Sequence, residues 1–235
     1  MGFTQSAYDD MIKVLEAAPG KIVDLTNKII SNVNGSLGWI PILGDAVKWA
    51  LDKLKGVVQQ VCAKLNQLLQ GAEVPTAMWN AGGKWLDIQH STSNVASTIA
   101  GQMQSNGNEW GGIAGGEYNN GVQNQGGAAS QMSSIAGGMQ SNCSSVANSG
   151  FAFYAAIAVG VATIVGGLVT CAAAGWTGAG AIAGLVVTIV GALIGFGGAI
   201  AAIQFGIASA TRGFQGLTAD GSSFPGNAWP LATAQ

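Results

Sequence analysis

The residues best suited to chemistry are few and scattered. His90 is the only histidine among 235 residues, and it stands between Gln89 and Ser91 with no acid placed to orient it. A Ser-His-Asp site needs a base held between a hydroxyl and a carboxylate, so this spacing describes a solvated helix residue instead. Cys62, Cys143 and Cys171 are odd in number, far apart and outside any Cys-X-X-Cys spacing. They suggest neither zinc nor a disulfide framework and read as small apolar packers. The run Gly178-Ala179-Gly180-Ala181-Ile182-Ala183-Gly184 imitates a dinucleotide loop, but its last spacing is one residue too long and no acid follows within 35 residues to hold a ribose. The expectation is a non-enzyme without a metal or cofactor.

The pattern that does carry a physical consequence is made of glycine. Gly180, Gly184, Gly191, Gly195, Gly198, Ala202 and Gly206 recur at spacings that sum to an eleven-residue repeat, interrupted only by Val187. On a helix this places small residues in a nearly straight stripe. In lipid, where helices have little hydrophobic reason to associate, such stripes drive association by letting backbones approach closely. A weaker stripe, Ala155, Ala158, Ala162, Gly166 and Ala173, precedes it.

The segments carrying these stripes have an unusual composition. Charged residues are 9% of the chain, the net charge is −2, and no Asp, Glu, Lys, Arg or His occurs in the 94 residues from Tyr118 to Thr211. With 9 Lys plus Arg in total there is no basic face for a phosphate backbone, which argues against nucleic acid as a partner. Residues 151–174 and 179–207 each exceed the ~20 residues needed to cross a bilayer core. Arg212 follows the second at once, where it could snorkel to an interface. The alternative is a buried core hairpin in a soluble bundle.

The rest of the chain reads as amphipathic helices. Met11, Ile12, Leu15, Ile22, Val23, Leu25, Ile29, Ile30 and Val33 recur at helical spacing, with Pro19-Gly20 expected to divide two short helices. Asp45 is a candidate cap for one long helix whose apolar stripe includes Trp49, Ala50, Leu54, Val58, Val61 and Leu65. Pro75-Thr76 opens a further helix to about residue 106, and a turn-rich stretch through Gly111-Gly112 leads into a second arm. In that arm Ala129, Met132, Ala136, Met139, Cys143 and Val146 form a heptad seam of small and medium residues. The segments are therefore 1–74, amphipathic helices; 75–150, a helical hairpin; 151–211, a glycine-rich apolar hairpin; and 212–235, a tail. The fold class is all-α, an elongated helical bundle.

Trp110-Gly111-Gly112, a Trp-X-Gly between two helical arms, together with Met78-Trp79-Asn80-Ala81-Gly82-Gly83-Lys84-Trp85, resembles the WXG family of helical hairpins exported by type VII secretion systems. The resemblance implies that Trp110 and Gly112 shape the bend and that a WXG-type partner chain completes a recognition groove. The family's export signal, a Tyr followed four residues later by an acid, is absent: Tyr8, Tyr118 and Tyr154 meet Ile12, Val122 and Ala158. The layout is also similar to alpha-helical pore-forming toxins. Asp9 and Asp10 stand where a secretory leader would place its apolar core, so export without a cleaved signal peptide is expected.

These observations lead to one expectation and two rivals. The first is a secreted helical protein that inserts its apolar hairpin into a lipid bilayer and forms homo-oligomers through the glycine stripes, as a pore or a docked assembly. The rivals are a structural subunit of a filament, shell or virion, its uncharged half buried between identical copies, and a membrane-anchored interaction module.

Overall fold

A computed structural model describes residues 4–37, 44–106, 111–173, 179–219, 223–224 and 228–230. These form helices and short irregular pieces, with no strand among the described residues. The helices are α1 (Gln5–Leu37), α2 (Gly44–Leu69), α3 (Val74–Asn106), α4 (Ile113–Ala173) and α5 (Ala179–Ala219). The chain divides into two compact units: Met1–Pro75 with Asn148–Phe205, and Thr76–Ala147 with Gly206–Gln235.

The first unit brings α1 and α2 into one apolar core with the last part of α4 and the first part of α5. Its innermost residues recur every seven positions: Tyr8, Leu15, Ile22 and Ile29 on α1; Val47, Leu54 and Val61 on α2; Ile157 and Ile164 on α4; Ile182, Ile189 and Phe196 on α5, all buried. A strict seven-residue repeat keeps one seam of each helix facing its neighbours, the packing logic of helical bundles. Tyr8 lies against Phe151 and Tyr154, and the Asn32 amide reaches the Ala172 carbonyl at 3.5 Å, so α1 runs alongside the whole apolar segment of α4.

Pro19 does not divide α1, contrary to the sequence expectation of two short helices: one helix of 33 residues runs through it. An interior proline costs about 3 kcal/mol through a lost backbone hydrogen bond and a clash. Leu15, Ala18 and Ile22 are buried on either side of it, and each large apolar side chain so buried contributes about 1.5–3 kcal/mol, enough to offset the break. On α2 the expected stripe is buried at Ala50, Leu54, Val58, Val61 and Leu65, but its first turn differs. Trp49 is 63% exposed, with the Lys53 ammonium 5.8 Å from its ring, while Val47 and Leu51 are buried in its place.

In the second unit α3 and the first part of α4 run antiparallel. Gly82 approaches Cys143 and Ser144, Gln89 lies over Gly137 and accepts a hydrogen bond from Ser133 on its carbonyl, and Ile99 meets Gly126. Among the buried α4 positions here, Val122, Ala129, Ala136 and Cys143 are again seven apart but small, and Ala128 and Ala147 are buried beside them. Met132, expected in this seam, is 37% exposed rather than buried. Short pieces of the tail return to α4, where Gln131 accepts a bond from the Ser223 amide and Gln125 donates to the Pro230 carbonyl.

Candidate membrane-facing surface

Two helices, Ile113–Ala173 and Ala181–Leu217, are long and apolar enough to cross a bilayer, and only 22% and 11% of their most apolar stretches are buried. A core helix of a soluble protein would be mostly buried along such a stretch. Here the heptad seam of α5 and Leu185 are buried, Leu193, Ile200 and Ile203 are partly covered, and the outward side of the helix is exposed.

The glycine stripe lies on that exposed side. Gly184, Gly191, Gly195 and Gly198 are exposed, and a methyl group added at any of them would meet no atom within 4 Å. Gly166 on α4 is the same. Gly206 is half-buried in the second unit, and of Gly180 only its place in the first turn of α5 is described. Beside the stripe stand Val187, Ile194 and Phe205, 71%, 72% and 73% exposed. The face therefore alternates a shallow groove of missing side chains with a ridge of bulky ones. An apolar cavity of about 250 Å³ opens between α4 and α5, walled by Ala152, Ala156, Ala199 and Ala202 with Phe153, Ile203 and Ser149.

The glycines that do permit close packing inside the first unit are others, which the sequence reading passed over. An added Cβ on Gly160 would stand 2.6 Å from the buried Phe196 ring, and one on Gly167 3.0 Å from Leu185. Gly150 is pressed against the Pro75 ring. Their signal was present, since Gly160 and Phe196 mirror each other across the apolar pair, as do Gly167 and Leu185. Small opposite large marks a packed antiparallel hairpin, whereas small beside small marks an open groove.

The covered side of the apolar pair is closed by tyrosines. Tyr8 donates to the Ala72 carbonyl at 2.6 Å, in the turn after α2, and Tyr154 donates at 2.8 Å to the Leu68 carbonyl in the last turn of α2, which also accepts the Gly71 amide at 3.3 Å. The two rings meet edge to face at 5.8 Å. Burial, then the neighbouring Tyr154 and Asp9, pushes the Tyr8 phenol well above its ordinary range. Burial likewise raises the Cys62 thiol, whose sulfur lies 3.8 Å from the Pro19 carbonyl.

The remaining expected residues are placed as follows. Gly112 has φ +87° and its carbonyl accepts the Gly116 amide at 3.2 Å, so it turns the chain into α4. Trp110 and residues 174–178, the expected bend and apolar turn, lie outside the described residues. Arg212 is exposed, with its Nε donating to the Ala208 carbonyl at 3.3 Å. His90 is exposed on α3, and no three metal-ligating side chains gather among the described residues.

No protein-family model matches this chain, and neither the curated proteins nor the solved structures hold one measurably similar to it. The functional reading therefore rests on the surface itself.

Proposed function

We propose that this chain is a membrane-inserting helical protein whose residues 151–207 enter a lipid bilayer as a hairpin and assemble with further copies through the glycine stripe, forming a pore or a membrane-docked assembly. The observation that carries this reading is the outward face of α5, where Gly184, Gly191, Gly195 and Gly198 meet nothing of their own chain beside the exposed Val187, Ile194 and Phe205. A helix facing water carries ionised groups there, and this one carries none between Ala179 and Thr211. Residues 151–174 would be about 36 Å long as a helix, against a hydrocarbon core of about 30 Å.

As part of the same proposal, residues 75–150 act as a WXG-type hairpin that directs export by a type VII system together with a partner chain. The antiparallel pairing of α3 with α4 about the positive-φ Gly112 supports this part.

The test is release of a trapped dye from liposomes by purified protein, scored with flotation of the protein on lipid. Release with flotation is the expected result. Flotation without release leaves an anchor that presents the other helices. Neither, with concentration-dependent polymers forming in the absence of lipid, refutes the proposal in favour of a structural subunit.

A further inference from the structure

We infer that α1 and α2 form an autoinhibitory cover over the apolar hairpin, latched at its two ends by Tyr154 and Asn32 and released when the hairpin meets lipid. The inference rests on the membrane reading above and adds its control.

The cover and the hairpin have opposite chemistry on their outer sides. Residues 1–75 hold 7 Lys and 7 acids, all but Glu73 on α1 and α2, whose inner faces lie in the shared core, while the hairpin has no charge on any face. The cover therefore cannot follow the hairpin into hydrocarbon, where ionised groups are costly. As amphipathic helices, α1 and α2 can instead rest their apolar faces in the bilayer interface.

The contact between them is suited to exchange. Along its length it is aliphatic: Leu15, Ile22 and Ile29 of α1 and Leu54 and Val61 of α2 share a core with Ile157, Ile164 and Ile189. Lipid tails are as apolar as these side chains, so replacing the cover by lipid loses little of the hairpin's burial. Directional bonds stand at the ends. Tyr154 donates to the Leu68 carbonyl at 2.8 Å at one end, and the Asn32 amide approaches the Ala172 carbonyl at 3.5 Å at the other. Tyr8 ties α1 to the turn after α2 through the Ala72 carbonyl, so the two helices are joined at the latched end.

The experiment uses the full chain carrying Asn32→Cys and Ala172→Cys with Cys171→Ser, so that oxidation bridges the cover to the hairpin and dithiothreitol frees it. Vesicles of phosphatidylcholine with phosphatidylglycerol report flotation and dye release. The expected result is that the oxidised protein neither inserts nor releases dye and that reduction of the same sample restores both. Tyr154→Phe, which removes one latch bond and leaves the chain otherwise intact, is expected to release dye about fivefold faster than the natural protein. Full activity of the oxidised protein overturns the cover while the membrane reading stands, as does an unchanged rate in Tyr154→Phe. Failure of both the reduced and the natural protein to float overturns the membrane reading and the cover with it.

Discussion

Replacing two glycines of the same apolar pair should have opposite effects, because one is inside the fold and the other outside it. At Gly191 an added Cβ meets nothing within 4 Å and the residue is exposed, so Gly191→Leu gains helix propensity worth about 0.7 kcal/mol and the protein in water should melt slightly higher. At Gly160 the new methyl of Gly160→Ala would stand 2.6 Å from the Phe196 ring, which is 2% exposed and has no room to swing. Overpacking of this kind costs about 1–3 kcal/mol, against a propensity gain of about 0.9 kcal/mol. The net cost is about 1 kcal/mol, so the two variants differ by about 2 kcal/mol. For a chain of this size that separates their melting temperatures by about 4–8 °C, readable by circular dichroism in buffer without lipid. In liposomes the order reverses: Gly191→Leu fills the groove through which copies approach and should lose dye release, whereas Gly160→Ala should retain it. A lowered melting temperature for Gly191→Leu would place the stripe inside the folded chain. Dye release at the natural rate by that variant would remove the stripe from the assembly.

Two further outcomes follow from single residues. Gly112 has φ +87°, a conformation that costs a residue with a Cβ about 1–2 kcal/mol, so Gly112→Ala should melt several degrees lower while Gly111→Ala, beside open space, should not. The folded state holds the Tyr8 phenol protonated above its ordinary value near 10, whereas the unfolded chain loses that proton as pH rises through about 10. Stability is then complete below about pH 10 and falls above it. Tyr8→Phe should flatten that fall while costing about 1 kcal/mol at neutral pH, as a melting series between pH 8 and 11 will report.

Much of the helical framework was legible because it is written in transfer free energy. Leu15, Ile22 and Ile29, and Leu54, Val58, Val61 and Leu65, declare a buried face by their type, and the structure buries them. What residue type alone could not decide was which partner takes a residue that contributes little burial. Gly184 and Gly160 are alike by type, and only the large residue mirrored across the apolar pair separates them: one faces open space and the other Phe196. Trp49 misled for the opposite reason. Its size suggested a core position, but Lys53 stacks on it at the surface and the smaller Val47 fills the seam. The unbroken helix through Pro19 was hidden too, because the packing that offsets a proline comes from α2, α4 and α5 rather than from α1 itself.

The two repeats on α5 compete, and the competition links the cover to assembly. Ile182, Ile189 and Phe196 follow a seven-residue period and lie in the core shared with α1 and α2, whereas Gly184, Gly191, Gly195, Ala202 and Gly206 follow an eleven-residue one. A straight seven-residue seam requires about 3.5 residues per turn and a straight eleven-residue stripe about 3.67. Over the stretch from Gly184 to Gly206 the two therefore drift apart by about 100° around the helix. While α5 keeps its seam against the cover, the stripe winds around its outer side and offers a neighbouring copy only a short contact. A helix that straightens the stripe for contact along its whole length turns the seam away from α1 and α2. In the proposed inserted state, assembly through glycine and release of the cover are thus favoured by the same small change in helical twist, so each promotes the other.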